Sequence, residues 1–179
     1  MRLETERLVL RVPESSDLDG YAAMFGDPEV ARYTSGRVRN REETVEAIER
    51  MRRHWDDYGV GLFSVVRTED RRLVGRVGYL AWDTTRWAHG LRENVTPSYE
   101  IELGWTLARE FWGRGYATEA AAAARDHAFA ELALPRLFSL IARPNAASIR
   151  VAERLGERLE QRDVPGPFPH PTDLYAISA

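Results

Sequence analysis

The sequence predicts a mixed α/β fold. Strand-like and helix-like segments alternate along the chain in the order βααβββαβαββ, which is typical of a sheet with helices packed on it. Hydrophobic residues make up 44% and charged residues 30% of the 179 residues, as in an ordinary globular protein. This length supports one substantial core but not comfortably two, so we expect a single domain over residues 1–179.

The N-terminal part is predicted to contain one strand followed by two helices. Apolar residues alternate through Leu3–Val12, which indicates a strand, and Ser15-Ser16-Asp17 then starts a helix that Asp27-Pro28 interrupts. Asn40 and Glu43 have the spacing of a capping box at the start of the second helix. The apolar residues of that helix are predicted to face inward: Val45, Ile48, Met51 and Trp55.

The middle of the chain is predicted to be strand-rich. Leu62–Arg67 and Leu73–Ala81 are two strands joined by a polar turn, and Tyr99–Leu107 is a third. Between them, Trp82–Pro97 is a polar loop whose length suggests a functional or interface role.

The C-terminal part continues with alternating elements. Thr118–Leu132 is an alanine-rich helix, and Leu137–Ala142 is an apolar strand short enough to be central and buried. Asn145 is the predicted cap of a short helix that ends at Gly156. Two strands close the chain, Leu159–Val164 and Leu174–Ser178.

Composition excludes several classes of protein. Cysteine is absent, so there are no disulfides, thiolate nucleophiles or cysteine metal sites, and all 25 basic residues are arginine, which removes any Schiff-base lysine. A net charge of −3 argues against a general nucleic-acid binder. No apolar run approaches the roughly 18–20 residues that span a membrane, and the charged N-terminus is unlike a signal peptide, so we expect a cytoplasmic protein.

The most informative segment is the glycine-rich turn Trp112–Thr118. Gly113 and Gly115 let the backbone turn tightly and leave its N–H groups uncovered, and a following helix adds its own unpaired amides and partial positive charge. Such a turn can hold a pyrophosphate, or it can be a tight connection without a ligand. A dinucleotide fingerprint would need glycine or alanine at Thr118, and a P-loop would need lysine, so neither fits.

This segment resembles a known family. Trp112-Gly113-Arg114-Gly115-Tyr116-Ala117-Thr118-Glu119-Ala120 is similar to the acetyl-CoA pyrophosphate loop of the GNAT superfamily of N-acetyltransferases, in particular the RimJ/RimL-like branch. Trp112 stands where the general pattern has glutamine or arginine, but it fits this branch. Three further segments resemble the branch in the same order: Glu4–Arg11, Glu102-Leu103-Gly104-Trp105 and Asn145–Gly156.

The resemblance implies a GNAT fold, in which a central, mostly antiparallel sheet is flanked by helices. The strands Tyr99–Leu107 and Leu137–Ala142 would splay apart, and acetyl-CoA would lie in the gap as a cosubstrate, with no metal. The residues implied to bind it are Trp105, Thr106, Leu107, Trp112, Gly113, Arg114, Gly115, Tyr116, Ala117, Thr118, Asn145 and Ser148, and we expect Arg109 to help hold its phosphates.

Acetyl transfer to an amine needs a group that takes the amine proton. Glu100 and Glu102 lie two residues apart on one strand and therefore share a face, and two neighbouring carboxylates raise the pKa of one of them. The resemblance favours Glu102 as the base, with Glu100 second. A solvated strand face is the alternative interpretation of the pair.

The leaving thiolate needs stabilisation or a proton donor. Many GNAT enzymes use a tyrosine, but the matching position here is Ala152, and Ser148 is the residue that the branch offers instead. The Ser148 hydroxyl could contact the sulfur, while Asn145 would contact the pantetheine arm. Both residues could equally be ordinary helix caps.

The acceptor is expected to be a primary amine, either a protein N-terminus or a small molecule. Loops that contain Tyr33 and His170 border this site in the family, which makes both residues candidate substrate contacts. His54 and His127 are predicted to lie partly exposed on helices, away from any metal site.

We therefore predict an N-acetyltransferase that transfers acetyl directly, because no cysteine can carry it. A non-catalytic acyl-CoA-binding module is the alternative, since the family's tyrosine is missing; a third is a structural protein whose glycine turn binds nothing. The sequence leaves open whether the protein is a homodimer, which is common in the family.

Overall fold

The computed structural model describes residues 1–89, 99–165 and 168–179. Within them, nine strands form one sheet in the order β1-β2-β3-β4-β6-β7-β9-β8, with β5 paired to β4. Every pairing is antiparallel except β6 with β7, which confirms the predicted mixed fold with a mostly antiparallel sheet. The strands are β1 (Arg2–Glu4), β2 (Leu8–Arg11), β3 (Leu62–Arg67), β4 (Leu73–Asp83), β5 (Ala88–His89), β6 (Glu100–Leu107), β7 (Arg136–Ala142), β8 (Arg158–Gln161) and β9 (Thr172–Ser178).

Helices cover both faces of the sheet. They are α1 (Leu18–Phe25), α2 (Pro28–Ala31), α3 (Arg41–Tyr58), α4 (Tyr116–Ala130) and α5 (Ala146–Leu155). One apolar cluster joins α1, α2 and α3 to one face, and a larger cluster packs the alanines of α4 against the other. The predicted capping box is confirmed, because Asn40 and Glu43 form both of its bonds. Asp27-Pro28 ends the first helix as predicted, and Asp27 in addition caps the short helix α2.

The prediction of one strand over Leu3–Val12 is wrong, because the chain reverses between β1 and β2. The Thr5 N–H donates to the Leu8 carbonyl at 2.9 Å, which closes the turn. Glu119 of α4 accepts the Thr5 hydroxyl at 2.5 Å and the Arg7 main-chain N–H at 3.0 Å. The turn is therefore held by a residue more than a hundred positions away, which strand periodicity does not reveal.

Two details of α3 also differ from the prediction. Ile48, Met51 and Trp55 are buried as predicted, but Val45 is 38% exposed and Thr44 and Ala47 are buried instead, so the inward stripe begins one residue earlier than predicted. His54 is buried rather than exposed, because β4 extends beyond the start of β3 and needs a partner there. The His54 imidazole supplies it by accepting the Ala81 main-chain N–H at 3.1 Å.

The remaining differences concern element ends and His127. β4 runs on through Asp83, and β5 pairs back onto it, so the predicted loop Trp82–Pro97 begins as strand; its residues 90–97 lie outside the described ones. Helix α4 starts at Tyr116, two residues before the predicted Thr118. His127 is buried, not exposed, and its Nδ1 lies 2.9 Å from the Tyr79 hydroxyl in the core.

Candidate active site

The central feature is a cleft between the two parallel strands. β6 and β7 pair at one register position only, Glu102 with Phe138, and then diverge toward their C-terminal ends. We call this opening the β6–β7 cleft; its walls are residues 103–107 of β6 and 139–142 of β7. The structure thus confirms the splayed strands of the predicted fold.

Two side chains replace main-chain pairing at the apex of the cleft. The Ser139 hydroxyl donates to the Leu103 carbonyl at 2.7 Å. The main-chain N–H of Leu140 lies near the Glu102 carboxylate and stabilises its charged form. Because these contacts serve polar groups that a continued ladder would have paired, the strands can separate at low cost.

The mouth of the cleft carries the glycine-rich turn. Gly113 and Gly115 have φ angles of 72° and 81°, which only glycine adopts without strain, and Gly115 caps α4. A Cβ at Gly113 would meet no heavy atom within 4 Å, so the turn's main chain is open to a ligand. The Trp112 indole folds back and donates to the Leu107 carbonyl at 2.8 Å. These features fit a cradle for a phosphate group.

A salt bridge holds this end of α4 in place and leaves the side chains of Arg109 and Arg114, the arginines before and in the turn, out of the contact. Arg7 pairs with Glu119 in the first helical turn and lies over the Tyr116 ring, 4.6 Å from its centre. Its guanidinium also donates to the Arg114 carbonyl at 3.1 Å. The Arg109 and Arg114 side chains have no carboxylate partner among the described residues, so both are free to meet an anion.

The second helix N-terminus lies across the cleft. The Asn145 side chain accepts the main-chain N–H of Ser148 at 3.1 Å, which confirms the predicted cap. The Trp105 indole reaches over from β6 and donates to the Ser148 hydroxyl oxygen at 3.2 Å. The Ser148 hydroxyl proton therefore remains available to another acceptor.

The main chain of β6 alternates between its two neighbours. The Leu103 and Leu107 carbonyls face the cleft, where they accept hydrogen bonds from the Ser139 hydroxyl and the Trp112 indole. The main-chain groups of Trp105, which lies between them, therefore face the cleft as well. The Thr106 carbonyl instead packs against Gly75 of β4. Of the predicted main-chain contacts, Trp105 thus has the most open position.

Glu102 is the buried acid of the site, only 9% exposed at the cleft apex. The Trp82 indole donates to its carboxylate at 2.5 Å. Burial raises the pKa of Glu102 to about 7, against the opposing effects of Trp82, the Leu140 N–H and the positive charge of Arg76. A carboxylate with this pKa can exchange a proton near neutral pH.

Glu100 does not raise that pKa, contrary to the expectation from two carboxylates on one face. Its side chain is exposed and pairs with Arg136, and it accepts the Thr84 hydroxyl at 3.1 Å. The two carboxylates do share a face, but burial, and not repulsion from Glu100, raises the pKa of Glu102. Of the two candidates, Glu102 is buried and Glu100 is exposed.

Aromatic residues surround Glu102 on the face of the sheet that α1–α3 cover. Phe168 and His89 lie 6.0 and 4.6 Å from the Trp82 ring, centre to centre, and Phe138 is fully buried beside them. The predicted contacts Tyr33 and His170 meet at 5.7 Å, and His170 Nε2 lies 2.8 Å from the Arg32 carbonyl. The two loops therefore join at the edge of this face.

Sequence reasoning missed a second buried acid, Glu157. It is 3% exposed, and its Oε1 lies 2.9 Å from the hydroxyl of Ser139. That hydroxyl has one proton and already faces the Leu103 carbonyl, so both contacts are satisfied when Glu157 is protonated and donates to Ser139. Burial raises the pKa of Glu157 to about 8, and the nearby charge of Glu102 acts in the same direction.

This protonated acid predicts a pH-dependent stability. The folded-state pKa of about 8 exceeds the ordinary value of 4.5, so the stabilisation is complete below pH 4.5 and is lost as pH rises toward 8. Glu157→Gln retains a donor to Ser139 without the ionisation, so its free energy of unfolding should exceed that of the wild type at pH 9. Urea unfolding at pH 6 and pH 9 measures this, and Glu153→Gln, at an exposed position of α5, is the control. Equal pH dependence in wild type and Glu157→Gln would contradict the assignment.

Neither a metal centre nor a membrane span is found in the described ranges. They contain no group of three or more histidine, aspartate or glutamate side chains placed to hold a metal ion. None of the described helices is long and apolar enough to cross a membrane.

A splayed pair of parallel strands with a glycine-capped helix at its mouth is the arrangement that the resemblance predicts for a GNAT acetyltransferase fold. A family model described as "Acetyltransferase (GNAT) domain" matches residues 7–158. The chain belongs to this GNAT acetyltransferase family.

Its relatives agree with that assignment. The chain is 34% identical over 156 residues to "Uncharacterized protein YkkB" of Bacillus subtilis, covering 87% of this chain and 84% of YkkB. It is 26% identical over 183 residues to YoaA of the same species, an uncharacterized N-acetyltransferase, with coverage of 98% and 95%. Its fold matches that of RimL, the ribosomal L7/L12 alpha-N-protein acetyltransferase solved in complex with coenzyme A, with a TM-score of 0.78, 16% identity and coverage of 99% and 98%.

Proposed function

We propose that this N-acetyltransferase uses acetyl-CoA and transfers the acetyl group directly to a primary amine. The acceptor is the α-amine of a protein N-terminus or a small-molecule amine. The observation that carries the proposal is the β6–β7 cleft, which has two helix N-termini at its mouth and a buried carboxylate with a pKa near 7 at its apex. Direct transfer follows because the chain has no cysteine to hold an acetyl group.

The glycine-rich turn is the proposed pyrophosphate site. Gly113 and Gly115 leave the main chain uncovered, and the first turn of α4 offers unpaired amides up to Thr118. Arg109 and Arg114 would add positive charge. The full set proposed for the turn is Trp112, Gly113, Arg114, Gly115, Tyr116, Ala117 and Thr118.

The pantetheine arm would then run along the cleft edge of β6. Trp105 presents its main chain there, and Asn145 and Ser148 lie opposite at the start of α5. This path leads the thioester toward the apex, where Glu102 is buried. Since side chains alternate along a strand, Glu102 and Trp105 reach opposite faces of β6 and can serve the two sides of the thioester.

The reaction balances with Glu102 on the side of the amine and Ser148 on the side of the leaving thiolate. The amine nitrogen attacks the thioester carbonyl carbon and forms the C–N bond, while Glu102, directly or through water, accepts the amine proton. The C–S bond then breaks, the Ser148 hydroxyl stabilises the leaving thiolate by donating a hydrogen bond to the sulfur, and the thiolate takes its proton from solvent. Glu102 would return its proton to solvent after the product leaves.

Ser148→Ala separates a chemical role from a capping role. The Asn145 cap binds the main-chain N–H of Ser148, which alanine retains, so the helix should keep its stability. Loss of the hydroxyl is expected to lower kcat about 10- to 100-fold, because a hydrogen bond to a charged group is worth about 1.5–3 kcal/mol and about 1.4 kcal/mol is a factor of ten. Initial rates together with thermal melting measure both effects. A kcat equal to that of the wild type would leave the thiolate's stabilisation to water and the helix.

Amine-dependent release of CoA thiol tests the proposed function. Titration calorimetry with acetyl-CoA comes first, followed by thiol release and mass spectrometry of the amine over a panel of N-terminal peptides and small amines. We expect binding and acetylated product. Binding without acceptor-dependent release would instead favour a non-catalytic acyl-CoA module, a reading to which the missing tyrosine at Ala152 points.

A further inference from the structure

Two arginines on the face of the sheet that α1–α3 cover pack against the same aromatic ring. The guanidinium carbons of Arg39 and Arg76 lie 4.9 and 5.1 Å from the centre of the Phe25 ring. Both side chains are partly buried, and within the described residues neither has a carboxylate partner. Among the residues that the structure describes, the Arg76 guanidinium makes one polar contact, with Met51 Sδ at 3.9 Å.

Among the described residues no carboxylate forms a salt bridge with this positive charge; Glu43 acts on Arg39, and Glu102 on Arg76, only through longer-range electrostatic attraction. Burial, and next to it the charge of Arg39, lowers the pKa of Arg76 to about 10, so both groups remain charged at neutral pH. Partly buried cations that repel each other are costly unless an anion neutralises them. Guanidinium groups bind carboxylate and phosphate oxygens through paired hydrogen bonds, so an oxyanion is the ligand that fits.

The pair lies on the same face of the sheet as Glu102. Arg76 of β4 stands opposite Thr106, and two steps along β6 on that face lead through Gly104 to Glu102. A Cβ at Gly104 would meet only the Glu102 carboxyl group within 4 Å, so the floor between the base and the arginines is open. Arg39 ends the loop that starts at Tyr33 and borders this face.

We propose that Arg39 and Arg76 form an anion subsite for the acceptor, which is a small primary amine that carries a carboxylate or phosphate group. This inference rests on the proposed acetyl transfer. It places the amine at Glu102 and the anion at the arginines, separated by several atoms of the acceptor. The subsite narrows the acceptor from amines in general to anionic ones.

Matched pairs of amines test the subsite on the full-length protein. Each pair is an ω-amino carboxylate and an alkylamine of the same length, with an aminoalkyl phosphonate as a further arm that distinguishes phosphate from carboxylate. We expect kcat/KM to favour the anionic member about tenfold or more at one chain length. Equal values at every length, a preference for the neutral member, or faster acetylation of N-terminal peptides without acidic residues would overturn the proposal.

Variants then locate the preference. Arg76→Gln and Arg39→Gln should each lower the anionic-to-neutral ratio of kcat/KM about tenfold. Arg52→Gln, at an exposed position of α3, should leave that ratio unchanged. Comparing two amines within one variant cancels the effect of Arg76 on the pKa of Glu102. An unchanged ratio in both variants would overturn the subsite. Arg39→Gln, in a loop, keeps the test valid if Arg76→Gln does not fold.

Failure of this inference differs from failure of the proposed function. If the protein transfers no acetyl group, no amine of either charge releases CoA thiol. If transfer occurs without an anion subsite, neutral amines react as fast as their anionic partners. The same assay therefore reports the two results separately.

Discussion

Glu102→Gln is expected to lower kcat about 10²- to 10⁴-fold, the range that a positioned general base contributes. The amide cannot accept the amine proton, whereas the acetyl-CoA contacts lie elsewhere in the β6–β7 cleft, so the affinity for acetyl-CoA should stay unchanged. Thiol-release rates and titration calorimetry measure the two quantities.

Glu100→Gln is the matched control for this variant. It makes the same chemical change on the same strand and face, two residues away, but at an exposed carboxylate paired with Arg136. The Trp82 indole donates to the Glu102 carboxylate and the Leu140 N–H also lies near it, whereas an amide accepts through one oxygen only. Glu102→Gln must therefore be shown to remain folded by its melting temperature. A folded Glu102→Gln with wild-type kcat would remove Glu102 from the mechanism.

Gly115→Trp should weaken acetyl-CoA binding about 100-fold or more. The indole would cover the amides at the start of α4, and each lost hydrogen bond to a charged phosphate is worth about 1.5–3 kcal/mol, where 1.4 kcal/mol is tenfold in affinity. Titration calorimetry with acetyl-CoA measures the change.

Gly59→Trp controls for backbone strain in that experiment. Gly59 has a φ of 70°, close to the 81° of Gly115, and caps α3 with open space around it. Both variants impose a side chain on a left-handed residue, but only Gly115→Trp blocks the proposed site. Equal acetyl-CoA affinity in the two variants would argue against the turn as the pyrophosphate site.

Local signals predicted much of this fold. Gly113 and Gly115 lie in the left-handed region that glycine favours, and Asn40 and Asn145 cap helices through contacts within a few residues. Turns and caps depend on neighbours in sequence, which is why the sequence alone could indicate them. The splayed strands are a long-range feature, and only the resemblance of whole segments to a family predicted them.

Long-range contacts set the properties that the sequence left open. Burial raises the pKa of Glu102 against the opposing effects of Trp82 and Leu140. Burial likewise makes Glu157 a neutral acid beside Ser139. His54 is buried because β4 outruns β3. Each effect arises from strand pairing that brings distant residues together, which periodicity along one strand cannot report.

The pH dependence of catalysis tests most directly that acetyl transfer proceeds through the buried carboxylate of Glu102. Dividing the wild-type kcat/KM by that of Glu102→Gln, with the same amine, cancels the ionisation of the amine itself. Because the base must lose its proton to act, the ratio should rise with pH through an apparent pKa of about 7 and then level off. A ratio that stays constant across this range would contradict the account.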